Sequence, residues 1–146
     1  MNGATKMAKK NSLLVALDTN IFVYALEGHQ QFQTPARQLL AAIDSGQLSG
    51  VASVYVLTEL LRQGPLQMRE AVLSMRHIVF VPTNQEIALL AADIIRQDRL
   101  KLRNVDAIHL ATAALAGAGE FWTNDRALQR IKVKDLRVKM LEEYHE

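Results

Sequence analysis

Short apolar runs alternate with helical periodicity along the chain. Leu13–Leu17 is a continuous run, Leu-Leu-Val-Ala-Leu, of the kind that forms a strand buried on both faces. Asn20–Glu27 carries a helical pattern that closes near Gly28. Thr34-Pro35 puts a capping residue before a proline at the first helical position. The helix it opens is predicted to run to about Asp44 and end at Gly46. Leu48–Ala52 reads as a second strand, with Ser53 capping a helix over Val54–Gln63. Gly64-Pro65 breaks that helix and opens another, through about Arg76. Ile78–Val81 is β-branched and aromatic, a third strand stopped by Pro82. Thr83-Asn84-Gln85-Glu86 has the spacing of a capping box and opens a helix through about Arg99, with Ile87, Leu90, Ala91, Ile94 and Ile95 on one stripe. Asn104–Gly117 is a further helix, whose Ala111, Ala113, Ala114 and Ala116 allow close approach to a neighbour. Phe121–Thr123 is the fourth predicted strand, Arg126–Ile131 a short helix and Leu136–Leu141 a closing strand.

Strands alternating with helices imply a parallel sheet covered on both faces. The expectation is a single α/β domain over residues 12–146, preceded by a flexible basic leader over residues 1–11. At 146 residues, 49% hydrophobic and 22% charged, the chain suits one globular domain. It has no cysteine, which excludes a disulfide scaffold, thiol catalysis and cysteine-ligated metals. Lys6, Lys9 and Lys10 before Leu13–Leu17 faintly resemble a signal peptide. Asp18 stops the apolar stretch short of the ~7–15 residues such a peptide needs, and no run reaches the ~20 residues of a membrane span. A cytoplasmic protein is expected. The net charge of +2 is compatible with a nucleic-acid partner. Arg99, Lys101 and Arg103 cluster, and Arg126, Arg130, Lys132, Lys134, Arg137 and Lys139 crowd the C-terminal part, although for any one of them a solvated surface is the better reading.

Sites in open α/β sheets form beyond the carboxyl ends of the strands. Asp18 directly follows strand one, and Asp125 follows strand four within Thr123-Asn124-Asp125. Glu59 lies in the helix after strand two, and Asp106 begins the helix after the Arg99–Arg103 cluster. Each acid also has an ordinary structural explanation. Asp18 and Asp125 can cap helices, Asp106 suits a first turn, and Glu59 can pair with Arg62 on a surface. One acidic pocket accounts for all of them together. Crowded carboxylates raise one another's pKa, a penalty that a hard Mg²⁺ or Mn²⁺ ion removes. Asn20 and Asn124 stand beside two of the acids as supporting polar groups.

At these residues the chain resembles the PIN-domain family of metal-dependent ribonucleases, in particular the small toxins of VapC-type toxin–antitoxin pairs. The segments that carry the resemblance are Leu17-Asp18-Thr19-Asn20, Leu57-Thr58-Glu59-Leu60, Asp106-Ala107-Ile108-His109-Leu110-Ala111-Thr112-Ala113 and Thr123-Asn124-Asp125. The resemblance implies that Asp18, Glu59, Asp106 and Asp125 are catalytic, with Asp18, Asp106 and Asp125 as metal ligands and Asn20, Thr123 and Asn124 in support. It also implies a three-layer α/β/α fold around a parallel sheet of about five strands, a homodimer, an antitoxin partner, and RNA products with 5′-phosphate and 3′-hydroxyl ends. Arg103-Asn104-Val105 departs from the proline or small residues that many relatives carry before the third acid.

The expected activity is therefore Mg²⁺- or Mn²⁺-dependent hydrolysis of RNA, with Arg99, Lys101, Arg103 and Arg126 as candidate phosphate contacts. Phe22 and Trp122 read as core rather than as stacking surfaces. His109, one turn after Asp106 on an apolar helix, reads as a buried histidine with a satisfied hydrogen bond rather than as a general base. Two other readings stay open. One is a non-catalytic module that binds RNA or protein. The other is an acidic-pocket phosphatase, disfavoured because Asn20 stands where an aspartyl phosphotransferase commonly has its second acid.

Overall fold

The chain's structure, a computed structural model, describes residues 12–62, 64–97 and 102–145. The expected leader over residues 1–11, Gln63, Arg99 and Lys101 lie outside the described residues. The elements run β1 (Leu13–Leu17), α1 (Thr19–Leu26), α2 (Gln33–Asp44), β2 (Leu48–Ser53), α3 (Tyr55–Leu61), α4 (Leu66–Leu73), β3 (Ile78–Val81), α5 (Gln85–Gln97), α6 (Asn104–Leu115), β4 (Glu120–Thr123) and β5 (Arg137–Met140). Short 3₁₀ turns cover Arg126–Leu128 and Leu141–Glu143.

All five strands are parallel, in the order β3-β2-β1-β4-β5. Their alternating side chains divide the core in two. Val15, Leu17, Ala52 and Trp122 pack against buried residues of α1–α4, including Phe22, Leu39, Ile43 and Val56. Ala16, Val51 and Phe121 face the other way, onto α5 and α6 through Ile87, Ile94, Ala107 and Leu110. Three layers, helix on sheet on helix, result. Phe22 and Trp122 are core residues, at 0% and 5% exposure. No helix among the described residues is long and apolar enough to cross a membrane.

The apolar runs mark the strands closely, and the departures lie at element ends. Helix α2 begins at Gln33 rather than behind a Thr34 cap, because His29 organises the turn before it. The His29 Nδ1 accepts from the backbone N–H groups of Gln31 and Phe32, both at 3.1 Å. Pro35 still falls in the first turn, where its missing N–H costs nothing. At α5 the capping side chain is Asn84, which accepts from Ile87 N at 2.9 Å, while the Thr83 hydroxyl is buried without a partner. Ser53 does serve the next helix, accepting from Tyr55 N at 3.1 Å. The closing strand is shorter than expected because Leu136 bridges to Val133 and Leu141 opens a 3₁₀ turn. Arg126–Ile131 contributes only the single turn Arg126–Leu128.

The order of the strands locates the site. From β1 the chain builds outward to β2 and β3, then returns to lay β4 on β1's other side. The reversal opens a crevice at the carboxyl ends of β1 and β4, where such sheets place ligands. Leu17 is in register with Trp122, and Asp18 N donates to the Trp122 carbonyl at 2.9 Å, so Asp18 and Thr123 leave the sheet side by side.

Candidate active site

Asp18 ends β1 and caps α1. Its Oδ1 accepts from Thr19 N at 2.7 Å. Its Oδ2 accepts from the Thr123 hydroxyl at 2.7 Å and from Asn20 Nδ2 at 3.5 Å. The residue is 5% exposed. Burial pushes its carboxyl above the ordinary range and the nearby Asp106 adds to the rise, opposed by His109 and by the hydrogen bonds from Thr123 and Thr19.

Glu59 reaches the same crevice from α3. Its Oε1 accepts from the Thr19 hydroxyl at 2.6 Å and from His109 Nε2 at 2.9 Å. Foremost the His109 bond, and after it the Thr19 bond, holds its carboxyl below the ordinary range against the opposing effect of burial. A carboxylate only accepts, so Nε2 carries the hydrogen of this bond, while His109 Nδ1 is buried without a partner. The imidazole also stands 4.0 Å from Asp18 Oδ1, bridging two of the acids. His109 is thus buried and bonded as expected, and the partner it satisfies belongs to the site.

Asp106 lies in the first turn of α6 with its side chain 7% exposed. Arg103, at the N-cap of the same helix, clamps it with both arms. Nε donates to Oδ2 at 2.9 Å and Nη2 to Oδ1 at 3.0 Å. Asp106 and His109 share a face of α6 by their three-residue spacing, which turns both toward β1. Thr123 links the rest. Its oxygen donates to Asp18 and accepts from Asp125 N at 3.0 Å and Asn20 Nδ2 at 3.4 Å. Asn20 Oδ1 accepts from Asn124 N at 3.1 Å, and Asn124 Nδ2 donates to the Tyr24 hydroxyl at 3.1 Å.

The structure therefore gathers Asp18, Glu59 and Asp106 with Asn20, Thr123 and Asn124. Asp125 stands at the rim, its Oδ1 accepting from Ala127 N at 2.9 Å as the cap of the 3₁₀ turn. Arg126 pairs with Glu142 at 3.0 Å. Thr19 takes part without having been assigned a role in the sequence, whereas Tyr24, an aromatic near the motifs and a candidate for stacking, instead bonds Asn124 through its hydroxyl. Thr19 sits beside Asp18 and passes for an ordinary capping neighbour, and only folding reveals its bond to Glu59.

Among the described residues, no group of three or more Asp, Glu or His side chains stands ready to hold one metal ion. Arg103 is bonded to both oxygens of Asp106, and one oxygen of Asp125 accepts from its backbone cap. The donor chemistry nevertheless fits a hard divalent cation. The oxygens are carboxylates, and those of Asp18 are buried against neutral donors while facing the charge of Asp106, a strain that a dication relieves.

Comparison with solved structures shows the same fold in several proteins. The VapBC2 complex from Rickettsia felis, bound to a DNA fragment from its promoter, matches with a TM-score of 0.67 at 18% identity, over 88% of this chain and 98% of that chain. VapC20 from Mycobacterium tuberculosis, a toxin that cleaves the sarcin–ricin loop, matches at 0.64 and 17% identity, over 84% and 98%. A toxin–antitoxin complex from Klebsiella pneumoniae matches at 0.63 and 20% identity, over 84% and 94%. Comparison with curated protein sequences found no match. The PIN domain family model matches residues 15–134, a span from the second half of β1 to just short of β5 that contains every acid of the site. The chain belongs to the PIN domain family.

Proposed function

We propose that this protein is a metal-dependent endoribonuclease and the toxin of a type II toxin–antitoxin pair, working in the cytoplasm as a homodimer. The observation that carries the reading is the meeting of Asp18 and Glu59 in the crevice between β1 and β4, tied together by Thr19, Thr123 and His109, with Asp106 near enough for its charge to act on Asp18. Family membership and the toxin–antitoxin neighbours support it.

In this reading Asp18, Asp106 and Asp125 would hold Mg²⁺ or Mn²⁺. A bound divalent ion supplies charge for the phosphoryl oxygens and acidity for water. The chain's own groups do the rest. Glu59, oriented by Thr19 and His109 and held ionised, accepts a proton from the attacking water. Thr123, Asn20 and Asn124 fix Asp18 and the end of β4 so that the carboxylates do not have to be arranged during the reaction. Arg99, Lys101, Arg103 and Arg126 are the candidate contacts for the RNA backbone.

The test is incubation with transfer, ribosomal and messenger RNA, with and without chelator, followed by mapping of the cut ends. Internal cuts that need Mg²⁺ or Mn²⁺ and leave 5′-phosphate ends are expected. Metal-independent binding without cleavage of any RNA would favour a non-catalytic module, and faster turnover of a chromogenic phosphate ester than of RNA would favour a phosphatase.

A further inference from the structure

We propose that Arg103 is a built-in counter-ion that shares Asp106 with the divalent metal, so that loading of the ion requires the guanidinium to let go and turn outward toward the RNA phosphate. This inference rests on the metal-dependent reading above. Three observations carry it. The guanidinium engages both oxygens of Asp106, at 2.9 and 3.0 Å, so it occupies the forked face of that carboxylate where an ion would meet both oxygens. Asp106 is nearly closed to solvent, whereas the Arg103 side chain is 67% exposed, so the arginine can leave into water while the acid cannot. Helix α6 does not depend on the clamp, since the Arg103 side chain caps no backbone group.

Charge gives the exchange its sense. The guanidinium paired with Asp106 is one cation of the chain's own that already balances the acids a metal would neutralise. An arginine cannot shed its charge to make room for the ion and must move instead. Its fork geometry suits carboxylate and phosphate alike. Released from Asp106, it remains next to the site with a vacant fork, and an RNA phosphate is the anion of matching shape. Metal and substrate would then favour each other's binding, because the ion frees the arginine that the phosphate takes.

The experiment is calorimetric titration with MnCl₂, without RNA, of wild type, Arg103→Gln and Arg103→Lys, each checked for folding by circular dichroism. A partly exposed bidentate pair is a modest competitor, so Arg103→Gln is expected to bind Mn²⁺ about five- to tenfold more tightly than wild type, with Arg103→Lys between them. In parallel, the Arg103 Nε–H resonance of the wild-type protein should move to the position of a free arginine as Mg²⁺ is added. Equal Mn²⁺ affinities in the three proteins, or an unmoved resonance while the ion binds, overturn the proposal and leave the metal site standing. Silence toward Mn²⁺ in wild type and Arg103→Gln alike overturns the proposal together with the metal-dependent reading.

Discussion

Asp18 is held by opposing demands. It caps α1 through one oxygen and receives Thr123 through the other, yet its carboxyl is pushed up by burial, with Asp106 adding to the rise. Between the ordinary value of 3.8 and the raised one, the folded chain binds more protons than the unfolded chain, so stability falls as pH rises through that window. Asp18→Asn removes this loss. In chelator the Tm difference between variant and wild type is expected to move in the variant's favour as the pH rises through that window. Melting curves from pH 4.5 to 8 check it, and a difference that does not change with pH contradicts it. Thr19→Val keeps the side chain's shape but deletes the hydroxyl that steers Glu59. It should leave the fold intact and slow single-turnover RNA cleavage about tenfold. Asp18 was readable from the residues themselves, because it stands at the end of an apolar run, and Asn20 because it stands close behind; Thr123 entered only through the family resemblance. The Thr19–Glu59 bond joins residues 40 apart in sequence, and no local pattern announces it.

At the scale of elements, periodicity marked the strands well because a strand buried on both faces must be continuously apolar. It marked helix starts less well, because Thr83 and Asn84 are both competent caps and local packing selects one. The closeness of α2 to β2 was also hidden. A Cβ on Gly50 would meet Ile43 Cδ1 at 3.1 Å and Ile78 Cγ1 at 3.2 Å, so this glycine lets the helix settle onto the sheet. Gly50→Ala is expected to destabilise the protein by about 1–3 kcal/mol through overpacking, measured by urea unfolding. Gly46, after α2, holds φ +86° with the His77 ring 3.3 Å from where a Cβ would sit. Both positions couple the helix layer to the strand that leads into Glu59's helix, so their variants should weaken folding without altering which metal the site prefers.

For the whole molecule, the alternation of strand and helix made a parallel sheet covered on both faces legible, but not the strand order. The order matters most for function, since only β4 lying against β1 brings Thr123 to Asp18. The acids come from four separate segments, and long-range topology rather than any single motif sets their spacing. Net charge of +2 supplies little nonspecific attraction, so RNA affinity should depend on a few local arginines and lysines. Binding of single-stranded RNA by the Asp18→Asn form should weaken with salt, with a log–log slope of about −0.7 for each phosphate contacted. Fluorescence anisotropy across a salt series measures this slope, and a flat response would remove these cationic side chains from the interface. The most direct measurement is the rate of RNA cleavage in Mg²⁺ by wild type and Asp106→Asn, with both proteins shown to be folded. Loss of about 10²–10³-fold in the variant is expected if Asp106 holds the catalytic ion. A folded Asp106→Asn protein that cleaves at the wild-type rate would contradict a metal-dependent nuclease site in this crevice.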